Sequence, residues 1–336
     1  MSTGLGQRMD WLRAAARTFD SKVGWHRVGF LLSVTIIVVA AFVLYRKLHD
    51  IEVGKVAAAV VTISIQDVMV AALFVAAGYF TLTFYDLFAL RTIGRGDVPY
   101  HIASLGGFTS YSVGHNVGAS AFTGGAVRYR VYSAWGLDAV EVAKVCFIAG
   151  LTFWLGNVTV LGLGFIIHPE AASAIDQLPE WFNRGLGVTA LAVLAGYVAW
   201  VWAAPRVIGR DNWQVQLPGG PLTLLQIFIG IVDLLCCSMA MYMLVPNTPP
   251  VDFITVAVVF VTATLLGFAS HSPGGLGVFD AAMLIALWQY EREELLAGLL
   301  IFRLLYYLFP FALALLTLGL RELMLGLERR RDGGGR

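Results

Sequence analysis

The chain has 336 residues, of which 58% are hydrophobic and only 13% charged, with a formal net charge of +1 and a mean hydropathy of +0.75. Soluble domains carry about 25% charged residues, so a water-soluble globular protein is excluded and an integral membrane protein is expected. The near-zero net charge alone rules out no partner, but the way charge is distributed along the chain is informative.

Residues 1–27 carry Arg8, Arg13, Arg17, Lys22 and Arg27, with Met9, Leu12, Ala16 and Phe19 at helical spacing. This reads as a basic amphipathic helix on the cytoplasmic face, with a frayed basic tail as the alternative. Val28–Leu44 is the first predicted span, long enough that no cleavable signal peptide is expected. Ile51–Ile65 is less apolar and is expected along the opposite interface. Val68–Leu90 is the second span, with Asp86 one turn before its end. Tyr100–Phe122 follows; its apolar run is crowded with Gly, Ser, His and Asn, is expected to break at Thr123-Gly124-Gly125, and resumes as a short helix through Trp135.

Asp138-x-x-Glu141 before an apolar run has the pattern of a capping box, which starts the span Val140–Ile167. Residues 168–184 form a loop or surface helix, and Gly185–Ala204 spans again. The polar link 205–220 divides the membrane region into halves 28–204 and 221–320, with Pro221 suited to the first turn of the span Leu222–Val245. Asp252 can cap Phe253–Ser270. A second break then follows at His271-Ser272-Pro273-Gly274-Gly275, with a short helix over Val278–Tyr290. Leu295–Leu320 is the last span, and 321–336 is a basic tail.

Lys and Arg concentrate in cytoplasmic loops of membrane proteins. The rule places the N-terminal arm, Arg91/Arg95, Arg128/Arg130/Lys144, Arg206/Arg210 and the Arg-rich tail inside, and the Lys/Arg-poor links at 168–184, 246–252 and 291–294 outside. These assignments close if Tyr100–Trp135 enters and leaves on the cytoplasmic side and Phe253–Tyr290 on the outer side. The predicted architecture is therefore an all-α polytopic membrane bundle of six full spans plus two re-entrant hairpins in inverted-topology repeats, a plan common among secondary transporters. Eight or nine ordinary spans would misplace at least one Arg cluster.

Charged side chains within spans cost about 2.5–3.5 kcal/mol on insertion scales and are retained mainly for pairing or function. Asp86, Arg128, Asp233, Asp280 and Arg303 qualify. Asp233 and Arg303 lie mid-span, where a mutual ion pair is the bland reading; for Asp86 and Arg128 it is interfacial snorkelling. The functional reading gives Arg128, backed by the Gly124 and Gly125 amides, an anionic group such as a lipid phosphate. Gly274 and Gly275 offer amides beside Asp280, which suits a cationic headgroup or a proton, as do Asp86 and Asp233. Small-residue helix packing also explains many Gly-Gly pairs. His115, Asn116, Asn157 and His271 add polar groups near the breaks. Carboxylates at ligand spacing are too few for a metal site, and no nucleophile elbow is present; no metal, cofactor or catalytic residue is expected. Cys146, Cys236 and Cys237 all lie in apolar runs and read as small buried hydrophobes.

The segments GGAVRYRVYSAWGL at Gly124–Leu137 and SPGGLGVFDAAM at Ser272–Met283, set in this span pattern, resemble the membrane region of the lysylphosphatidylglycerol synthase family. That region is the flippase part of the multiple peptide resistance factor and also stands alone in bacterial inner-membrane relatives. The resemblance covers about Val28 to Leu320. It implies a multi-pass bacterial inner-membrane protein, with cytoplasmic termini, that translocates or handles a phospholipid, including an aminoacylated phosphatidylglycerol. Asp86 and Arg128 match functional positions of the family, and Asp280 stands where a Glu is expected. The family's cytoplasmic transferase domain is not expected, since the chain ends at Arg336, so the chain by itself is not expected to be an enzyme. Other readings are the membrane subunit of a lipid-modifying aminoacyltransferase whose catalytic domain is a separate chain, a small-solute carrier, and a structural membrane protein. A homodimer is compatible with the family; no nucleic-acid partner is expected.

Overall fold

The computed structural model describes residues 53–118, 120–210 and 213–333; the predicted arm and the first predicted span fall outside them. The order is α1 (Val53–Thr62), α2 (Ile65–Thr92), α3 (Tyr100–Val117), α4 (Ser120–Tyr132), α5 (Ala139–Ile167), α6 (Pro169–Asp176), α7 (Glu180–Ala203), β1 (Val207–Arg210), β2 (Trp213–Gln216), α8 (Gly220–Tyr242), α9 (Phe253–Ser270), α10 (Val278–Ala286), α11 (Arg292–Arg303) and α12 (Phe309–Gly333). A π turn, Leu304–Leu308, joins α11 to α12. Among the described residues, six helices are long and apolar enough to cross a membrane: α2, α5, α7, α8, α9 and the continuous Arg292–Arg321. The protein is an all-α, multi-pass membrane protein. α9 has 18 residues, about 27 Å at 1.5 Å per residue, so length alone does not separate a crossing from a dip.

Local signals act where the sequence places them. Asp138 accepts from the Glu141 amide at 2.7 Å while Glu141 accepts from the Asp138 amide at 3.0 Å, forming the capping box of α5. Asp252 caps α9 by accepting from the Thr255 amide at 2.9 Å. The link 205–220, expected to be irregular, holds a two-stranded antiparallel hairpin with Val207 opposite Gln216. The chain beyond Arg321, expected to be a tail, continues α12 as helix to Gly333.

The first break falls at Gly118, not at Gly124-Gly125. Gly118 has φ 84°, a conformation that costs glycine little and other residues much, and the Gly124-Gly125 pair lies inside α4. α3 and α4 fold back on each other: a Cβ at Gly106 would stand 2.2 Å from the Tyr132 hydroxyl, and one at Gly124 would stand 3.1 Å from the Ser110 carbonyl. The base of this hairpin is tied to neighbouring loops by Arg95, which donates to Asp97, to Glu141 at 3.0 Å and to the Trp135 carbonyl at 2.6 Å. Its hydrogen bond holds the Asp97 carboxyl below the usual carboxylate range.

α9 and α10 form a second hairpin. Its base is closed by Tyr290, which donates to the Pro249 carbonyl at 2.8 Å. The 29-residue α5 runs from beside the first base to beside the second, where His168 Nε2 lies 3.9 Å from Asp252. The two hairpins therefore point at each other from opposite ends of the bundle. Their tips touch: a Cβ on Gly118 would lie 3.3 Å from Pro273 Cα.

Glycine also sets the tightest helix crossing. Added Cβ atoms at Gly156 on α5 and Gly230 on α8 would lie 2.7 and 2.8 Å from the opposite glycine's Cα, so the backbones meet directly, as small residues allow in membranes. Gly230→Leu should force α5 and α8 apart, costing about 1–3 kcal/mol or more. Gly196→Leu on α7, where an added Cβ meets nothing within 4 Å, should leave thermal unfolding in detergent unchanged.

Candidate functional site

Asp86 is fully buried on α2 and accepts from three donors. Arg128 Nη2 donates at 2.7 Å and Nε at 2.9 Å, and the Tyr132 hydroxyl donates at 2.6 Å. The short, near-bidentate geometry is that of a strong charge-assisted pair. Two adjacent glycines make it possible. Gly107 brings α3 against α2, since a Cβ there would lie 3.2 Å from the Leu82 carbonyl and 3.5 Å from Asp86, while Gly106 vacates the space filled by the Tyr132 ring. Arg128 lies over the Tyr111 ring at 5.1 Å, a cation–π contact. Its remaining nitrogen, Nη1, has the Cys146 sulfur at 4.0 Å.

The second hairpin repeats this device with the charges exchanged. Asp280 on α10 accepts from Arg303 Nη2 at 2.7 Å and Nε at 3.0 Å, and Arg303 Nη1 donates to the Gly274 carbonyl at 3.1 Å. Asp280 also reaches back to the Gly277 amide at 3.0 Å, placing a negative charge at the positive end of α10. Arg303 lies 5.5 Å from the Tyr307 ring centre and 5.8 Å from that of Phe279. Each hairpin is thus pinned to a neighbouring helix by one Arg–Asp pair, fully buried in the first and partly buried in the second. The mutual Asp233–Arg303 pair considered from sequence is not formed.

Where the tips meet, a cavity of about 560 Å³ opens, with Arg128, Asp233, His115, Ser110 and Gly274 on its wall among aromatic, aliphatic and glycine residues. Asp86, Asp280 and Arg303 do not line it. Most of the amides expected to form cradles are engaged within the chain. Gly124 and Gly125 are helical, and the amides of Gly275, Leu276 and Gly277 are already bonded to Ser272, Pro273 and Asp280. Phe122, 81% exposed, and Trp154, 54% exposed, stand where the chamber meets the outer surface of the bundle. His115 and His271 both line the chamber; among the described residues no cluster of three His, Cys, Asp or Glu side chains forms.

The floor of the chamber comes from the π turn. Pro310 has no N–H to bond the carbonyl four residues back, a defect that favours a wide turn. The freed Tyr306 carbonyl accepts from the Tyr79 hydroxyl at 2.9 Å, and the Tyr307 carbonyl accepts from Asn116 Nδ2 at 3.0 Å. Asn116 is therefore a tie between the first hairpin and the π turn. Asn157, 1% exposed, donates to the Phe153 carbonyl within α5. Sequence reasoning missed Gly106, Gly107, Gly118, Tyr111 and Tyr132. A second Gly-Gly upstream and a Tyr one turn after Arg128 were the available signals.

No family profile matches the chain, but individual proteins do. It is 32% identical over 258 residues to the uncharacterized protein slr0712 of Synechocystis, covering 76% of this chain and 80% of that protein. It is 28% identical over 303 residues to the inner membrane protein YbhN of Escherichia coli, covering 85% of this chain and 89% of YbhN. A phosphatidylglycerol lysyltransferase of Staphylococcus haemolyticus is 27% identical over 241 residues, 70% of this chain. The chain belongs to the lysylphosphatidylglycerol synthase transmembrane-region family. It spans 27% of the lysyltransferase's length and nearly all of YbhN's, so it corresponds to the membrane part of this family and is a multi-pass inner-membrane protein. Asp86 and Arg128, which the sequence resemblance singled out, are the two halves of one ion pair.

Removing one partner of a buried pair strands the other charge and costs about 3–5 kcal/mol, whereas replacing both by apolar groups of similar volume is often neutral. Asp86→Asn should therefore lower stability by about that amount, and the double variant Asp86→Leu/Arg128→Leu should recover much of it. Tyr132→Phe, losing a hydrogen bond to a charged group, should cost about 1.5–3 kcal/mol. Unfolding of the purified protein in detergent ranks the three variants against the wild type.

Proposed function

We propose that the protein moves a phospholipid between leaflets, with the two helical hairpins entering the membrane from opposite faces as an inverted-topology pair. The observation that carries this reading is the chamber at the meeting point of the tips, with Arg128 on its wall and an edge marked by exposed Phe122 and Trp154. A lipid has a charged headgroup and apolar tails. A largely apolar pocket with Arg128 and Asp233 on its wall, open sideways, accepts the first while the second remain in the bilayer. Arg128 is aimed for this: Asp86 and Tyr132 fix its Nε edge, leaving Nη1 to meet a phosphate oxygen. Asp86 then positions the arginine, and Asp280 with Arg303 does the same for the second hairpin.

The relationship to a phosphatidylglycerol lysyltransferase supports a phosphatidylglycerol-type substrate, aminoacylated or plain. The positive-inside distribution supports cytoplasmic termini and a first-hairpin base, with Arg91 and Arg95, on the inner side. The glycine-tipped contact between the hairpins supports alternating access, because little side-chain packing must be broken to part them.

Gly150 lines the chamber, and an added Cβ there meets nothing within 4 Å. Gly150→Leu should fill the chamber, keep or raise thermal stability through better helix propensity, and slow movement of a labelled phosphatidylglycerol in reconstituted vesicles at least tenfold. Wild-type protein moving no more lipid than empty vesicles would overturn the translocase reading.

A further inference from the structure

Asp233 on α8 is the one carboxylate on the chamber wall, 4% exposed. Among the described residues no Lys, Arg or His nitrogen lies within 4 Å of it. Its partners are the Tyr85 hydroxyl, which donates at 3.1 Å, and the Cys237 sulfur at 3.9 Å. The titratable groups facing it are Tyr79 and Tyr85 from α2, Tyr111 from α3, Cys236 and Cys237 from α8 itself and Tyr306 from the π turn. None of these is a cation. The Arg128 guanidinium is committed to Asp86, and the path between the two charges is occupied by Tyr111 and Tyr85, packed edge to face at 5.8 Å.

An ionised carboxylate in so dry a place, with one strong donor for two oxygens, is expensive. Asp86 and Asp280 solve the problem with a guanidinium; Asp233 has none. Resting on the reading of the chamber as a substrate path, we infer that Asp233 is its proton-loading group, protonated until a substituted ammonium enters the chamber and displaces the proton. In that exchange the O–H bond breaks, the proton passes to solvent, and the carboxylate pairs with the incoming ammonium, one positive charge replacing another at the carboxylate oxygens. Tyr85 holds the carboxyl in place through both states. Arg128 and Asp233 would then read the two signs of a zwitterionic headgroup from opposite ends of the Tyr111–Tyr85 stack.

The test uses the full chain in lipid nanodiscs and infrared difference spectroscopy at neutral pH. In phosphatidylglycerol discs the wild type should show the carbonyl stretch of a protonated carboxyl, and Asp233→Asn should lack that band. Discs containing phosphatidylethanolamine should diminish the wild-type band; sodium chloride added to phosphatidylglycerol discs should not. Absence of an Asp233-dependent band, or a band that phosphatidylethanolamine leaves unchanged, overturns the inference. In vesicles, lipid movement by the wild type should respond to a pH difference and Asp233→Asn should lose that response. The infrared result judges Asp233 even if no lipid moves, so failure here and failure of the translocase reading are told apart.

Discussion

A guanidinium and a carboxylate closed into one buried pair hold the core of this protein together. Arg128 on α4 reaches Asp86 on α2 beside α3, which Gly107 lets approach α2 closely, and the pair is completed by Tyr132, seated in the space Gly106 vacates. A charge-assisted contact of 2.7 Å in a medium without water is strong in isolation, yet desolvation cancels much of it. Its value lies less in stability than in position: a lone charge at this depth has no tolerable alternative arrangement. The first hairpin therefore has one register against α2.

The second hairpin uses the same solution with the sign reversed, Asp on the hairpin and Arg on the neighbouring helix. Both arginines also sit against aromatic rings, Tyr111 in one case and Tyr307 with Phe279 in the other. With both hairpins clamped from the side, their tips meet through Gly118 and Pro273. The chamber is what remains between two anchored hairpins and the π turn that Pro310 imposes beneath them. Its polar character comes from groups the clamps leave over: the outer edge of Arg128, His115 and the unpaired Asp233.

This division of labour changes how the charged residues are understood. Five charges within apolar helices invite five binding roles, but three of them, Asp86, Asp280 and Arg303, are used up in positioning. Arg128 is held by Asp86 and also lines the chamber, because guanidinium has two edges; a lysine could not be clamped and still present a fixed donor to the chamber.

Much of the architecture was legible in the sequence, because in a membrane local composition is nearly sufficient. A helix must satisfy its own backbone in lipid, so long apolar runs became helices; Asp138 and Asp252 marked their starts through hydrogen bonds made within a few residues, and Pro221 through its fixed φ. That two helices would be interrupted was also readable, from glycine and polar residues where a span should be uniform. Tertiary structure alone decided which glycine bends the chain: Gly118 rather than Gly124-Gly125, because Gly124 is needed to pack α4 against the Ser110 carbonyl of α3 while Gly118 faces the opposing tip. It also decided which carboxylate meets which arginine and which is left without one. Pairing depends on distances between helices far apart in the chain, and those follow from glycine crossings whose closeness no linear pattern records.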